Sequence, residues 1–130
     1  METFKQFRAV TIVAGAGLRV LARARDQERA LLTTSAVLSA TVTVADLDTG
    51  EIAYQSDVID SEDIIFDTLQ VVDEWTADAI GYNLAHNLPA EAFPEPNKRY
   101  ELTFWFDVGL DAPICGSKMR VNTIHAYAPE

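Results

Sequence analysis

Thr41-Val42-Thr43-Val44-Ala45-Asp46-Leu47-Asp48-Thr49-Gly50-Glu51-Ile52-Ala53-Tyr54 is the stretch that decides the fold. Successive strand residues point to opposite faces, so Val42 and Val44 share one side and Thr41 and Thr43 the other. Extended back to Ala36, the run adds Leu38 and Ala40 to the apolar face and Ser39 to the polar one. β-Branched residues at this density suit a pleated surface. Asp46 to Gly50 reads as a turn, because Asp accepts turn conformations and Gly supplies positive φ at no steric cost. Glu51 to Val58 then returns as the hairpin partner.

The same period of two governs the rest of the chain. Phe7 to Val13 reads as a strand, closed by Gly15-Ala16-Gly17. Leu18, Val20, Ala22 and Ala24 alternate with Arg19, Leu21, Arg23 and Arg25, and Asp26 to Arg29 forms a turn. Ser61 to Trp75 is less regular, and the consecutive Ile64, Ile65 and Phe66 suit a short helical turn. Tyr82, Leu84, His86 and Leu88 alternate along a further strand. Pro89 to Asn97 contains three prolines and predicts a corner crossing from one sheet to another. Tyr100, Leu102, Phe104 and Phe106 make the strongest apolar face of all. A last strand is expected from about Lys118 to Tyr127. Short strands separated by turns in this way predict an all-β chain: a single antiparallel β-sandwich of about seven to eight strands over residues 1–130.

Size and charge narrow the functional classes. At 130 residues the chain is long enough to bury a core without metal or disulfide. Cys115 is the only cysteine, so no internal disulfide is expected, which mildly favours a reducing compartment or a particle assembled inside a cell. Twenty acidic residues against ten basic ones give a net charge of −10. That field repels phosphate backbones and anionic lipid, so neither nucleic acid nor membrane is expected as a partner. Ala14-Gly15-Ala16 follows an apolar run and resembles a small-residue cleavage site. The run is short, interrupted by Thr11 and glycine, and alternates like a strand, so no export signal is expected and a cytoplasmic or virion location is.

The search for chemistry is mostly negative. Asp46, Asp48 and Glu51 offer clustered carboxylates to a hard cation, but Thr49 and Asp57 stand where the EF-hand loop needs a ligand and a glutamate. An ordinary hairpin turn is the simpler reading. Cys115, Met119, His125 and His86 are the residue types of a blue-copper site. However, Cys115 and His125 would lie about 33 Å apart on one strand at roughly 3.3 Å per residue. No nucleophile elbow, phosphate loop or zinc-binding helix motif appears. Asp57, Asp60, Glu62 and Asp63 read as a solvated face. No enzyme activity, metal or cofactor is expected.

Trp105 is different. With Tyr100, Leu102, Phe104 and Phe106 filling the core face, alternation turns Trp105 outward beside Glu101 and Thr103. Such an indole is either covered by the protein's own loops or offered to another molecule. Trp105, Trp75 and Tyr82 are therefore the candidate binding residues.

Val42-Thr43-Val44-Ala45-Asp46-Leu47-Asp48-Thr49-Gly50-Glu51, Gly81-Tyr82-Asn83-Leu84-Ala85-His86, and Phe93-Pro94 followed by Tyr100-Glu101-Leu102-Thr103-Phe104 resemble three segments of a known group of folds. These are the immunoglobulin-like and transthyretin-like sandwiches of bacterial surface proteins and of phage tail and baseplate accessory proteins. The resemblance covers about two-thirds of the chain at the level of strand order. It lacks the Cys-Trp-Cys pattern of antibody domains, and the ending His125-Ala126-Tyr127-Ala128-Pro129-Glu130 departs from that of transthyretin-related hydrolases. The resemblance implies a non-enzymatic structural or interaction module of a virion or surface assembly, bound to a protein partner or to copies of itself. The alternative is a module for small ligands or carbohydrate that uses exposed aromatics.

Overall fold

The computed structural model describes residues 9–25, 30–72 and 81–125. Its centre is strand β8 (Arg99–Asp107), hydrogen-bonded on one side to β3 (Ser39–Asp46) and on the other to β9 (Ile114–Ile124). Tyr100, Leu102, Phe104 and Phe106 alternate to one face and all four are buried. Ala40, Val42 and Val44 of β3 and Met119 and Val121 of β9 line up beside them, since each of these strands carries its own period of two. β1 (Ala9–Val13) adds beyond β9, and β4 (Ile52–Gln55) and the two-residue β5 (Ile59–Asp60) add beyond β3. The second, smaller sheet has the order β2 (Leu18–Ala22), β7 (Tyr82–Leu88), β6 (Ile65–Gln70). Leu18, Val20, Leu84, Leu88 and Ile65 from that sheet join the larger sheet's apolar face in one continuous core. The His86 ring stands edge-on to Phe104 across it, with centroids 6.1 Å apart.

The chain changes sheets where the prolines predict it. Between β7 and β8 it makes a short 3-10 turn at Ala90–Ala92 and buries Phe93 completely, its ring 5.7 Å from that of Tyr100. Backbone groups in this corner would otherwise be left without partners. Thr123 on β9 supplies several: its hydroxyl donates to the Glu95 carbonyl at 2.6 Å and accepts from the Lys98 N–H at 3.1 Å. The Tyr100 hydroxyl accepts from the Glu95 N–H at 3.3 Å. Asn97 takes a left-handed conformation (φ 58°), which Asn tolerates better than most side chains.

In the smaller sheet, buried Asn83 holds the segment that follows β2. Its amide oxygen accepts from the Ala24 N–H at 2.6 Å, and its amide nitrogen donates to the carbonyls of Ala24 at 3.0 Å and Leu32 at 2.9 Å.

Several expectations need correction. The chain is all-β in two sheets, but the larger sheet is mixed and not purely antiparallel, because β1 runs parallel to β9. No hairpin sets the direction of β1. After Val13 the chain turns through Gly15 (φ 78°) and enters the other sheet as β2, so β1 lies along the edge next to β9. The described residues form nine strands, counting β5, not seven to eight. The irregular stretch after Ser61 is a 3-10 turn at Ser61–Asp63 followed by a strand, β6. β9 starts at Ile114, ahead of the expected Lys118. Leu38 lies just outside β3, its N–H bonded to the last residue of β8, and its side chain is 62% exposed. Phe7 and Arg8, the Asp26–Arg29 turn and Tyr127 lie outside the described residues.

Replacing Asn83 by Ala strands the Ala24 N–H and the Leu32 carbonyl and leaves the Ala24 carbonyl with only its bond from the Leu32 N–H, at 3.0 Å. Urea unfolding of Asn83→Ala is expected to show a loss of about 3 kcal/mol. Asn87→Ala, on the exposed end of the same strand, is expected to change stability by less than about 0.5 kcal/mol.

Candidate functional site

The outer face of the larger sheet carries the residues that alternation turns away from the core. Trp105 sits on the central strand β8, two residues before its end at Asp107, in register with Thr41 of β3 and Cys115 of β9. The indole is half-buried, and its N–H donates to the Thr43 hydroxyl at 2.9 Å. That bond ties the ring to its own sheet while part of the side chain stays exposed. Thr103 beside it is buried, and beyond it Glu101 pairs with Lys118 at 3.6 Å. Trp105 is thus an oriented aromatic in a hydroxyl-rich setting.

The other two aromatic candidates are not found beside it. Trp75 lies outside the described residues. Tyr82 is 3% exposed, so it is not the exposed aromatic expected from the sequence. It groups with Leu21 and Ala85 on the far side of the smaller sheet, with the Phe66 ring edge-on at 5.9 Å. A register shift between Ile65 and Gln70 on β6 accompanies its separation from the Leu84 face.

The acidic turn at Asp46 is a hairpin whose carboxylates are already engaged. Asp46 accepts from the N–H groups of Asp48 at 2.8 Å and Thr49 at 3.4 Å, and Gly50 closes the turn with φ 77°. Lys98 lies 3.4 Å from Asp46, and Arg99 donates to Asp48 at 2.6 Å. The N–H of Asp48 and the charge of Lys98 hold the Asp46 carboxyl below its ordinary range, and Asp46 in turn raises Lys98. Of the residue types reminiscent of copper, Met119 is buried in the core while Cys115 and His125 are exposed. His86 faces Phe104, and burial pushes its imidazole below the usual histidine value. Among the described residues no three His, Cys, Asp or Glu side chains converge.

Sequence reading passed over another group. Val58, Leu110 and Leu38 are the most exposed large apolar side chains described, at 72%, 65% and 62%. All three flank the Ser39–Asp107 end of the larger sheet, and Trp105 is two residues from that end of β8. Val58 and Leu110 stand in acidic stretches, whereas Leu38 reads as part of an apolar strand face and carries no signal of exposure.

Two titrations should leave opposite marks on stability. A depressed carboxyl pKa stabilises the fold above the ordinary carboxylate range, and that gain fades as pH falls through the folded value. The stability gap between the parent and Asp46→Asn is therefore expected to narrow below about pH 4. His86 is held neutral, so the fold weakens as pH falls below about 6.5, the ordinary histidine value. His86→Gln should lack that decline, so its stability rises relative to the parent over the same interval. Urea midpoints taken from pH 8 to pH 3 check both.

No known protein family matches this chain, and no curated protein or solved structure shows detectable similarity to it.

Proposed function

We propose that this chain is a non-enzymatic protein-interaction module on an immunoglobulin-like β-sandwich, with the outer face around Trp105 as its contact surface. The fold part of the reading draws on strand order. β2–β7–β6 corresponds to strands B-E-D of an immunoglobulin sandwich, and β9–β8–β3–β4 to G-F-C-C′. The hydroxyl of Tyr100, at the start of the F-equivalent strand, bonds backbone five residues upstream, as in the tyrosine corner of such sandwiches. The shared apolar core of the two sheets fits the same arrangement.

The observation that carries the functional part is the half-buried Trp105, turned away from the core and held by Thr43. An aromatic already fixed in orientation loses little rotamer entropy on binding, which is what interface anchors need. An assembly subunit of a virion or cell-surface structure is the setting that best suits an acidic chain without catalytic motifs. A carbohydrate-binding role is the second reading, favoured by the hydroxyls of Thr41 and Thr43 next to the ring.

A photo-crosslinking residue placed at position 105 and expressed in the source cells should give a discrete protein adduct, while the same residue at exposed position 91 gives none. Trp105→Ala should weaken that association about 30-fold, corresponding to about 2 kcal/mol for a buried aromatic anchor. Its melting point should stay within a few degrees of the parent's. A stability loss of several kcal/mol would instead make the indole a structural element of the sheet. Binding on a glycan array that Trp105→Ala abolishes would favour the carbohydrate reading.

A further inference from the structure

We propose that the corner formed by Leu38, Val58 and Leu110 is a docking surface for a cationic protein segment that carries apolar side chains. The inference rests on the reading of Trp105 as a contact residue and names the chemistry of what covers it.

Register puts these residues together. The Leu38 N–H donates to the Asp107 carbonyl at 2.8 Å, so the chain entering β3 runs beside the end of β8. A methyl group placed on Gly109 would lie 4.0 Å from a Leu38 methyl, which brings the connection bearing Leu110 against Leu38. Val58 immediately precedes β5, whose Ile59 and Asp60 pair with Ala40 and Ser39. Thr41, the next residue of β3, is the register partner of Trp105. Single exposed apolar residues are ordinary on a surface, but the most exposed ones gathered at one corner next to an oriented indole are not.

Charge identifies the occupant. No lysine or arginine occurs between Arg29 and Lys98. The corner's exposed acids Asp57, Asp60, Glu62, Asp63 and Asp111 have no ion pair with any described residue. At the other end of the same sheet, Asp46 and Asp48 are matched by Lys98 and Arg99. An apolar centre with an unneutralised acidic rim attracts a partner with the complementary pattern: apolar anchors flanked by Lys or Arg. It repels nucleic acid, acidic proteins and the same corner of another copy.

The test is a titration of the isotopically labelled full chain, followed by NMR, with an amphipathic peptide of arginine and leucine. The matching glutamate–leucine peptide is the control. Shifts from the arginine peptide should centre on Leu38, Val58–Asp63, Trp105 and Leu110, and the glutamate peptide should give none. Affinity should drop several-fold from low to moderate salt. The triple variant Asp60→Asn, Glu62→Gln, Asp63→Asn should bind roughly tenfold more weakly, with little change for the control triple Glu51→Gln, Glu91→Gln, Glu95→Gln. Leu110→Ser should lose binding with an unchanged melting point. Equal weakening by both triples, or shifts spread over the whole surface, would mean general attraction to an acidic protein and overturn the proposal. If Trp105→Ala abolishes association while the corner variants do not, the Trp105 face stands and the corner does not. Self-association of the chain alone that is lost in Leu110→Ser would make a second copy the occupant and also overturn it.

Discussion

Strand β8 is the constraint on which the rest of the structure depends. It is paired along both edges, so it cannot shift register without breaking two ladders. Its inward side chains, Tyr100, Leu102, Phe104 and Phe106, supply the largest part of the buried aromatic surface. A slip of one residue would send those four to solvent and Trp105 into the core. One alternation therefore fixes both the packing of the two sheets and the direction in which Trp105 points.

The ends of β8 are secured by different means. At its start, Tyr100 and Thr123 together bind the backbone of the proline-rich corner, so the crossing between sheets is held by specific hydrogen bonds as well as by buried Phe93. At its far end the chain leaves through Val108–Pro113, and apart from Ile114 and Val108 little of that turn packs on the core. The smaller sheet has its own fastening in Asn83, which satisfies both polar groups of Ala24 and the carbonyl of Leu32 with a single side chain. Asn83 and Thr123 are thus buried polar side chains whose partners are backbone atoms of irregular segments.

How much of this the sequence carried depends on how local each cause is. The alternation in β3 and β8, the Asp46–Gly50 turn and the crossing at Pro89–Asn97 are written in neighbouring residues, and each appears where those residues indicate. The parallel placement of β1 is not, because nothing near Ala9–Val13 encodes which distant edge it will join. Tyr82 shows the same limit: its spacing from Leu84 suggests a shared face, yet a register break on the neighbouring strand β6 coincides with its move to the far side of the sheet. The outward direction of Trp105 was legible from parity alone, but its hydrogen bond to Thr43 depends on which strand lies beside β8. Leu38, Val58 and Leu110 were not legible as a group, since they come from three separated segments that only the β3–β5 and β3–β8 pairings bring to one corner.

The two ends of the larger sheet differ in how their charges are balanced, and that difference follows from chain topology. The proline-rich corner delivers Lys98 and Arg99 to the turn after β3, so the acids there find cations as a consequence of folding. The opposite end is built from the start of β3, from β5 and from the β8–β9 connection, none of which contains a basic residue. Folding therefore neutralises one end and leaves the other with carboxylates and exposed apolar side chains together. Carboxylates kept in water cost the fold little, whereas large apolar residues left beside them gain nothing until something covers them. The sheet's inner face accounts for the fold's stability, and among the described residues the most exposed apolar side chains lie together with acids that have no ion pair, at the acidic end.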